Sequence, residues 1–156
     1  EVELVVVIGE KVRNVSEGEV LQVIAGLTVG QDVSERELQL DGANPQFNLG
    51  KSHKSFAPLG PCVVSLEEFD DPWDLEIRCE LNNTVVQEAR TSQLLNGVPT
   101  LISYLSGICE LRPGDLIFTG TPSGVGLGCT PPRYLSAGDL LVSTIDGIGS
   151  LVNRCV

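Results

Sequence analysis

Methionine is absent from all 156 residues. Glu1 is therefore not a translational start, and a segment upstream of it is expected. Aromatic residues make up only 4% of the chain, so Val, Leu and Ile must fill any core. The single histidine, His53, leaves no His pair for zinc, and no G-x-S-x-G elbow is present to suggest a Ser-His-Asp hydrolase. The five cysteines, Cys62, Cys79, Cys109, Cys129 and Cys155, are odd in number and show no C-x-x-C spacing. Neither a disulfide framework nor a thiolate zinc site is indicated, and reduced thiols in a cytoplasmic protein are expected. Lys and Arg number 10 against 21 Asp and Glu. No basic patch is available for nucleic-acid phosphates or an anionic lipid surface, so neither partner is expected. No stretch reaches the ~18 apolar residues of a membrane-spanning helix, and no signal peptide precedes Glu1.

What is present is apolar and turn-rich. The length is that of one domain over residues 1–156, and 42% apolar content supplies one core. Residues 2–8 read as a strand buried on both faces beyond Glu3. Ser16-Glu17-Gly18-Glu19 has the pattern of a capping box, predicting a short helix to about Ala25 that buries Val20, Val23 and Ile24. A strand over 27–31 then delivers Asp32. Ser34-Glu35-Arg36-Glu37 repeats the capping pattern and sets Arg36, Gln39 and Leu40 on one side of a helical turn. Residues 41–61 read as loop. Leu75, Ile77, Cys79 and Leu81 alternate with Glu76, Arg78 and Glu80, and Asn82-Asn83 turns them into a hairpin with 84–90. Pro99 opens the best helix, 98–109, with Val98, Leu101, Ile102, Leu105 and Ile108 at helical spacing. Pro113-Gly114-Asp115-Leu116 and Ala137-Gly138-Asp139-Leu140 are similar turns, each before an apolar strand. The expected fold is α+β and mostly β, a mixed β-sandwich or roll with short peripheral helices.

The chemistry-bearing candidates are oxygen donors and cations. Glu1 and Glu3 stand two apart in a strand, so they project to one face about 7 Å apart at the backbone. Two such carboxylates can converge on a hard divalent cation, with Asp32 as a third donor. Each has a plainer alternative: solvated acids at a strand end, and a helix-capping aspartate. Lys51, in Gly50-Lys51-Ser52, lacks P-loop context and by itself reads first as a solvated surface lysine. Arg36 could pair with Glu35 or Glu37. The loop Gly120-Thr121-Pro122-Ser123-Gly124-Val125-Gly126 could cradle an anion or simply turn. His53 reads as structural or exposed.

Taken in order, five stretches resemble the fumarylacetoacetate hydrolase family, in its C-terminal catalytic domain. They are Glu1 to Gly9, Ala25 to Arg36, Gly50-Lys51-Ser52 with Phe56 to Pro61, Thr91-Ser92, and Pro113 to Gly126. The resemblance implies a β-roll, a homodimer, and a divalent cation (Mg²⁺, or Mn²⁺ or Ca²⁺) held by Glu1, Glu3 and Asp32. It makes Lys51 the active-site lysine, puts Arg36 and Gln39 at the substrate pocket, and sets Thr121 against the substrate carboxylate. Gln31 and His53 depart from the family pattern without touching these ligands. The water-activating His-Glu pair of hydrolytic members, on an N-terminal lid, has no counterpart among these residues.

The implied activity is Mg²⁺-dependent hydrolysis of a C–C bond in acylpyruvate- or fumarylpyruvate-type 2,4-dioxo acids through a metal-bound enolate, as in aromatic catabolism. The alternatives are isomerase, tautomerase, hydratase or decarboxylase action on a 2-oxo dicarboxylate such as oxaloacetate or 2-hydroxyhepta-2,4-diene-1,7-dioate. A third alternative is a non-catalytic metal-binding or dimerisation domain.

Overall fold

The computed structural model describes residues 1–156. Two four-stranded antiparallel sheets carry the fold. In the first, β1 (Val2–Ile8) lies between β2 (Ile24–Gln31) and β6 (Leu116–Phe118), and β3 (Leu59–Val64) forms the edge beyond β2. In the second, β4 (Glu76–Leu81) lies between β5 (Thr84–Arg90) and β7 (Leu140–Ile145), with β8 (Gly149–Arg154) outermost. Alternation decides which side chains meet between the sheets. Val2, Leu4, Val6 and Ile8 of β1 join Leu27 and Val29 of β2, and pack with Ile77, Cys79, Leu81, Leu141 and Ile145 of the second sheet. The odd positions of β1, which carry Glu3, face away from that core. Helices are peripheral: α1 (Arg36–Gln39), α2 (Val98–Ile108) and several short 3₁₀ turns. The expected β-rich α+β fold is present, and no helix is long and apolar enough to cross a membrane.

Strand pairing overrides local helix signals in one place. The helix expected to reach Ala25 is a 3₁₀ segment, Glu17–Val23, and β2 begins at Ile24. Ile24 lies opposite Ile8 beside a bulge in β1, so the ladder claims it. Only Val20 of this segment is buried. At its start, the Glu19 carboxylate accepts from the Ser16 hydroxyl at 2.5 Å and more distantly from the Ser16 N–H at 3.4 Å. The α1 cap is likewise shifted by one residue. Glu35, not Ser34, accepts from the N–H groups of Glu37 and Leu38, at 2.9 and 2.7 Å.

The strand β3 falls in the region read as loop. Gly60 and Pro61 interrupt its pattern, and an edge strand tolerates a proline because one of its sides needs no ladder donor. The Asn82-Asn83 turn has positive φ at both residues, as the hairpin requires. In the two similar turns, Asp115 accepts from the Arg112 N–H at 2.8 Å and Asp139 from the Ser136 N–H at 2.9 Å.

Along α2 the inward positions are Val98, Ile102 and Ser106, while Ile108 is exposed. Ser106 is accommodated because its hydroxyl accepts from the Val15 N–H at 3.0 Å and donates to the Ser103 carbonyl at 2.9 Å. Ile102 is fully buried in the core cluster with Val15 and Val20. Ile102→Ala is expected to cost about 3 kcal/mol and to lower the melting temperature by roughly 6–12 °C in a domain of this size. Calorimetry of the variant checks this.

Candidate metal centre

The register of β1 on β2 assembles the site. Val2 pairs with Gln31 and Glu3 with Gly30. The Asp32 N–H donates to the Glu1 carbonyl at 2.8 Å, which continues the ladder by one step and sets Glu1 opposite Asp32. Opposed residues of an antiparallel pair share a face, as do residues two apart on one strand. Glu1, Glu3 and Asp32 are therefore forced onto the same face, with one carboxylate oxygen from each within 4.8 Å of the others.

Two cations and one amide answer these charges. Lys51, from the 3₁₀ turn Leu49–Lys51, donates to Glu1 Oε2 at 2.8 Å and to Asp32 Oδ2. Arg36 Nη2 donates to Glu1 Oε1 at 2.5 Å, and Arg36 Nη1 to Gln39 Oε1 at 2.6 Å. Gly50 allows this convergence: a Cβ there would stand 2.9 Å from Gln39 Cβ and from the Glu35 carbonyl, so only glycine lets the Lys51 turn press on α1. Glu3 accepts from the Gly120 N–H at 2.7 Å.

The protonation preferences follow from position. Burial pushes the Glu3 carboxyl up, the Gly120 N–H only partly offsets this, and the Asp32 charge adds to it; the result is about 7. Burial also pushes the Glu1 carboxyl up, but its bonds to Lys51 and Arg36 outweigh that and hold it below the usual range. Burial disfavours the Lys51 ammonium, but Asp32 and Glu1 more than compensate, so its pKa lies above the ordinary lysine value.

A hard cation fits this cluster on two grounds. All donors are carboxylate oxygens, the set preferred by Mg²⁺, Mn²⁺ or Ca²⁺. The Lys51 ammonium already bridges Glu1 and Asp32, so positive charge between those two groups is what the geometry accommodates.

A cavity of about 1100 Å³ opens beside the cluster, walled in part by Glu1, Asp32, Arg36, Phe56, Val125 and Tyr134. The glycine-rich loop borders it. At Gly124, φ is +107° and a Cβ would stand 1.9 Å from the Val86 carbonyl oxygen, so glycine is required where the loop meets β5.

Five of the seven residues singled out from sequence are thus together: Glu1, Glu3, Asp32, Lys51 and Arg36. Asp32 caps no helix, and neither Lys51 nor Arg36 is a free surface group. Gln39 is 2% exposed and stands behind Arg36 rather than on the cavity wall. Thr121 lies apart, with its hydroxyl donating to the Val2 carbonyl at 2.9 Å and accepting from Gln87 Nε2 at 2.8 Å. It borders a second cavity of about 470 Å³. His53 is exposed, its ring 5.2 Å from that of Phe56.

Sequence reasoning missed two buried glutamines. Gln31, expected to stand clear of the ligands, in fact accepts from the Glu1 backbone nitrogen, and it donates to Ser143 Oγ at 2.9 Å. Gln87 accepts from the Val2 N–H at 3.2 Å. The signal for Gln87 was a polar residue at an inward position of a hairpin strand.

A two-sheet α+β domain with three converging carboxylates beside a lysine is the class that fold and cluster define. Within that class the chain belongs to the fumarylacetoacetate hydrolase family: the family model described as fumarylacetoacetate (FAA) hydrolase C-terminal matches residues 1–156. A Dictyostelium discoideum protein named fumarylacetoacetate hydrolase domain-containing protein 2 homolog is 49% identical over 99% of this chain and 53% of its own length. Oxaloacetate tautomerase fahd2, mitochondrial, of Xenopus laevis is 40% identical over 100% of this chain and 49% of its own.

Among solved structures, an HpcE-type protein of Mycobacterium smegmatis superposes with a TM-score of 0.97 at 54% identity, over 100% of this chain and 58% of that one. A 5-carboxymethyl-2-hydroxymuconate delta-isomerase of the same organism gives 0.89 at 39%, over 100% and 57%. A Pseudomonas aeruginosa fumarylpyruvate hydrolase in complex with Mn²⁺ and pyruvate gives 0.89 at 32%, over 100% and 64%. The chain spans about half the length of the curated relatives it matches.

The raised Glu3 pKa has a consequence for metal-free protein. A carboxyl whose folded-state value lies above its ordinary 4.5 holds its proton more tightly when folded. Its stabilising contribution is complete below pH 4.5 and is lost as pH rises through about 7. In EDTA, the parent is expected to lose stability relative to Glu3→Gln across that window, by an amount on the order of 3 kcal/mol. Urea midpoints of the two proteins from pH 4.5 to 8 test it; parallel profiles would contradict the assignment.

Proposed function

We propose that this chain is the catalytic domain of a divalent-cation-dependent enzyme that interconverts the keto and enol forms of a 2-oxo dicarboxylic acid. The observation that carries the reading is the convergence of Glu1, Glu3 and Asp32 within 4.8 Å beside Lys51. The tautomerase and isomerase names of relatives near 40% identity support it. Oxaloacetate and 2-hydroxyhepta-2,4-diene-1,7-dioate, named for relatives at 40% identity, are the substrate types proposed.

In this reading Glu1, Glu3 and Asp32 hold the cation, Mg²⁺ or otherwise Mn²⁺ or Ca²⁺. When bound, it supplies Lewis acidity at the keto oxygen and carboxylate of a 2-oxo acid. Lys51, kept charged by Asp32 and Glu1, places a donor proton and a positive charge where an enolate oxygen develops. Arg36, at the cavity wall, receives the substrate carboxylate, and Gln39 fixes the guanidinium plane from behind. Phe56, Val125 and Tyr134 offer apolar contact along the substrate's carbon chain. A contact from Thr121 to the carboxylate, which the family resemblance implies, requires its hydroxyl to leave the Val2 carbonyl.

A second reading, C–C hydrolysis of acylpyruvate- or fumarylpyruvate-type acids, is supported by the Pseudomonas hydrolase bound to Mn²⁺ and pyruvate. It needs a water-activating base in addition to the residues described. The proposal extends to one catalytic domain over 1–156, supported by the single core cluster, and to a homodimer, supported by the family resemblance. A reducing compartment is supported by five unpaired cysteines. We assign the cytoplasm, with the mitochondrion, named for several relatives, as the alternative.

The test follows the enol absorbance of oxaloacetate and of acetylpyruvate with the full-length gene product, first in Mg²⁺ and then in EDTA, while pyruvate release is assayed. Cation-dependent enol conversion without added pyruvate supports tautomerisation, and cation-dependent pyruvate release supports the lyase or hydrolase readings. Turnover that survives EDTA overturns the metal assignment, and Mg²⁺ binding without turnover leaves a non-catalytic domain. Glu3→Ala is expected to abolish Mg²⁺ binding by calorimetry. Lys51→Ala is expected to lower kcat by 10²-fold or more, the order of a lost electrostatic donor.

A further inference from the structure

Beyond its last pairing with β6, the end of β1 has no strand on one side. The β1–β6 ladder covers only Val5, Val6 and Val7. One backbone bond continues it, from the Thr119 N–H to the Leu4 carbonyl at 3.2 Å; beyond Leu4, toward Glu3 and Glu1 on the side away from β2, side chains replace the missing strand. The Thr119 hydroxyl donates to the Leu4 carbonyl at 2.9 Å. At Val2 both backbone groups are taken: the N–H donates to Gln87 Oε1 at 3.2 Å, and the carbonyl accepts from the Thr121 hydroxyl at 2.9 Å. Gln87 Nε2 in turn donates to Thr121 Oγ1 and to the Pro122 carbonyl, each at 2.8 Å. The result is a closed circuit of Gln87, Val2 and Thr121, and Val2 is the residue between the two glutamates.

Gln87 is 4% exposed and is the only buried residue of β5. A glutamine at such a position is costly unless its amide is bonded, and three of its four hydrogen-bonding capacities are used here. An apolar residue would fill an inward strand position at lower cost, so the amide has a use that packing does not explain. An independent contact locks the same junction: Gly124 meets the Val86 backbone too closely for any Cβ, and a Cβ there would also stand 3.2 Å from Gln87 Cγ. The glycine-rich loop is thus fixed to β5 at Val86 and Gln87. The same loop supplies the Gly120 N–H to Glu3.

We infer that Gln87 is a positioning residue of the metal centre, which with Thr121 substitutes for the missing strand and sets the directions in which Glu1 and Glu3 project. It touches neither carboxylate and acts through the Val2 backbone and the loop. Its effect therefore precedes any substrate. This inference rests on the metal site proposed above.

The readout is Mn²⁺ affinity, measured by calorimetry on folded full-length protein without substrate, together with melting temperature. Gln87→Met keeps the volume and removes the amide; Thr121→Val keeps the shape and removes the hydroxyl; Thr121→Ser restores the hydroxyl. Loss of a group that orients metal ligands costs about 10–100-fold in affinity. Gln87→Met and Thr121→Val are each expected to weaken Mn²⁺ binding by at least five-fold at full occupancy of the folded state, and Thr121→Ser to bind as the parent does. A purely structural role would lower the melting temperature and leave the affinity of the folded molecules unchanged. A role for Thr121 confined to the substrate carboxylate would raise KM and also leave Mn²⁺ affinity unchanged. Less than five-fold weakening in the folded variants overturns the inference. If Gln87→Met does not fold, the Thr121 pair decides by the same threshold. If the parent itself binds no Mn²⁺, the metal reading fails; if the parent binds and the variants match it, only the role of Gln87 fails.

Discussion

The site depends on one antiparallel register. Glu1 faces Asp32 across β1 and β2, and Glu3 follows on the same face, because the ladder places Val2 opposite Gln31 and not one residue further along. A slip of one position would turn Glu3 into the core and Val2 and Leu4 out of it. The hydrophobic pattern of β1 forbids that slip. Val2, Leu4, Val6 and Ile8 must face the second sheet, so the same burial that drives folding also aims the acids.

Three carboxylates in so small a space would repel one another, and the surrounding chain offsets this unevenly. Lys51 and Arg36 both reach Glu1, Lys51 also reaches Asp32, and Glu3 receives only a backbone N–H. Glu3 is also the most buried of the three, which is why its pKa rises to about 7. The cluster is left one positive partner short at its deepest member. In the proposed reading that imbalance is what a bound cation would relieve, and the burial of Glu3 separates this cluster from an exposed acidic patch.

Much of the frame was legible because it is written in local periodicities. β1, the β4–β5 hairpin with its Asn82-Asn83 turn and α2 all follow from spacing and turn chemistry. β3 was not legible, since Gly60 and Pro61 mask a strand that exists only because β2 offers it an edge. The 3₁₀ segment at Glu17–Val23 was read as a longer helix because a capping signal cannot foresee that Ile24 will be claimed by Ile8. At the site, Glu1 and Glu3 were legible as a pair by the two-residue period of a strand. Asp32 joined them as a candidate third oxygen donor at a strand end, and Lys51 and Arg36 only through the ordered resemblance to a family.

The sequence alone determined the residue types, the strand that carries Glu1 and Glu3, and membership of a fold whose relatives share these motifs. Side-chain period and turn preference are properties of a few neighbouring residues, so they can be read without coordinates. Tertiary structure decided which charges meet: that Lys51 bridges Glu1 and Asp32, that Gln39 stands behind Arg36, and that Thr121 and Gln87 bind the backbone of Val2. These contacts join residues 3 to 119 positions apart. Apart from the Arg36–Gln39 pair they cross between elements, where no local pattern records which hydrogen-bond partner burial will supply.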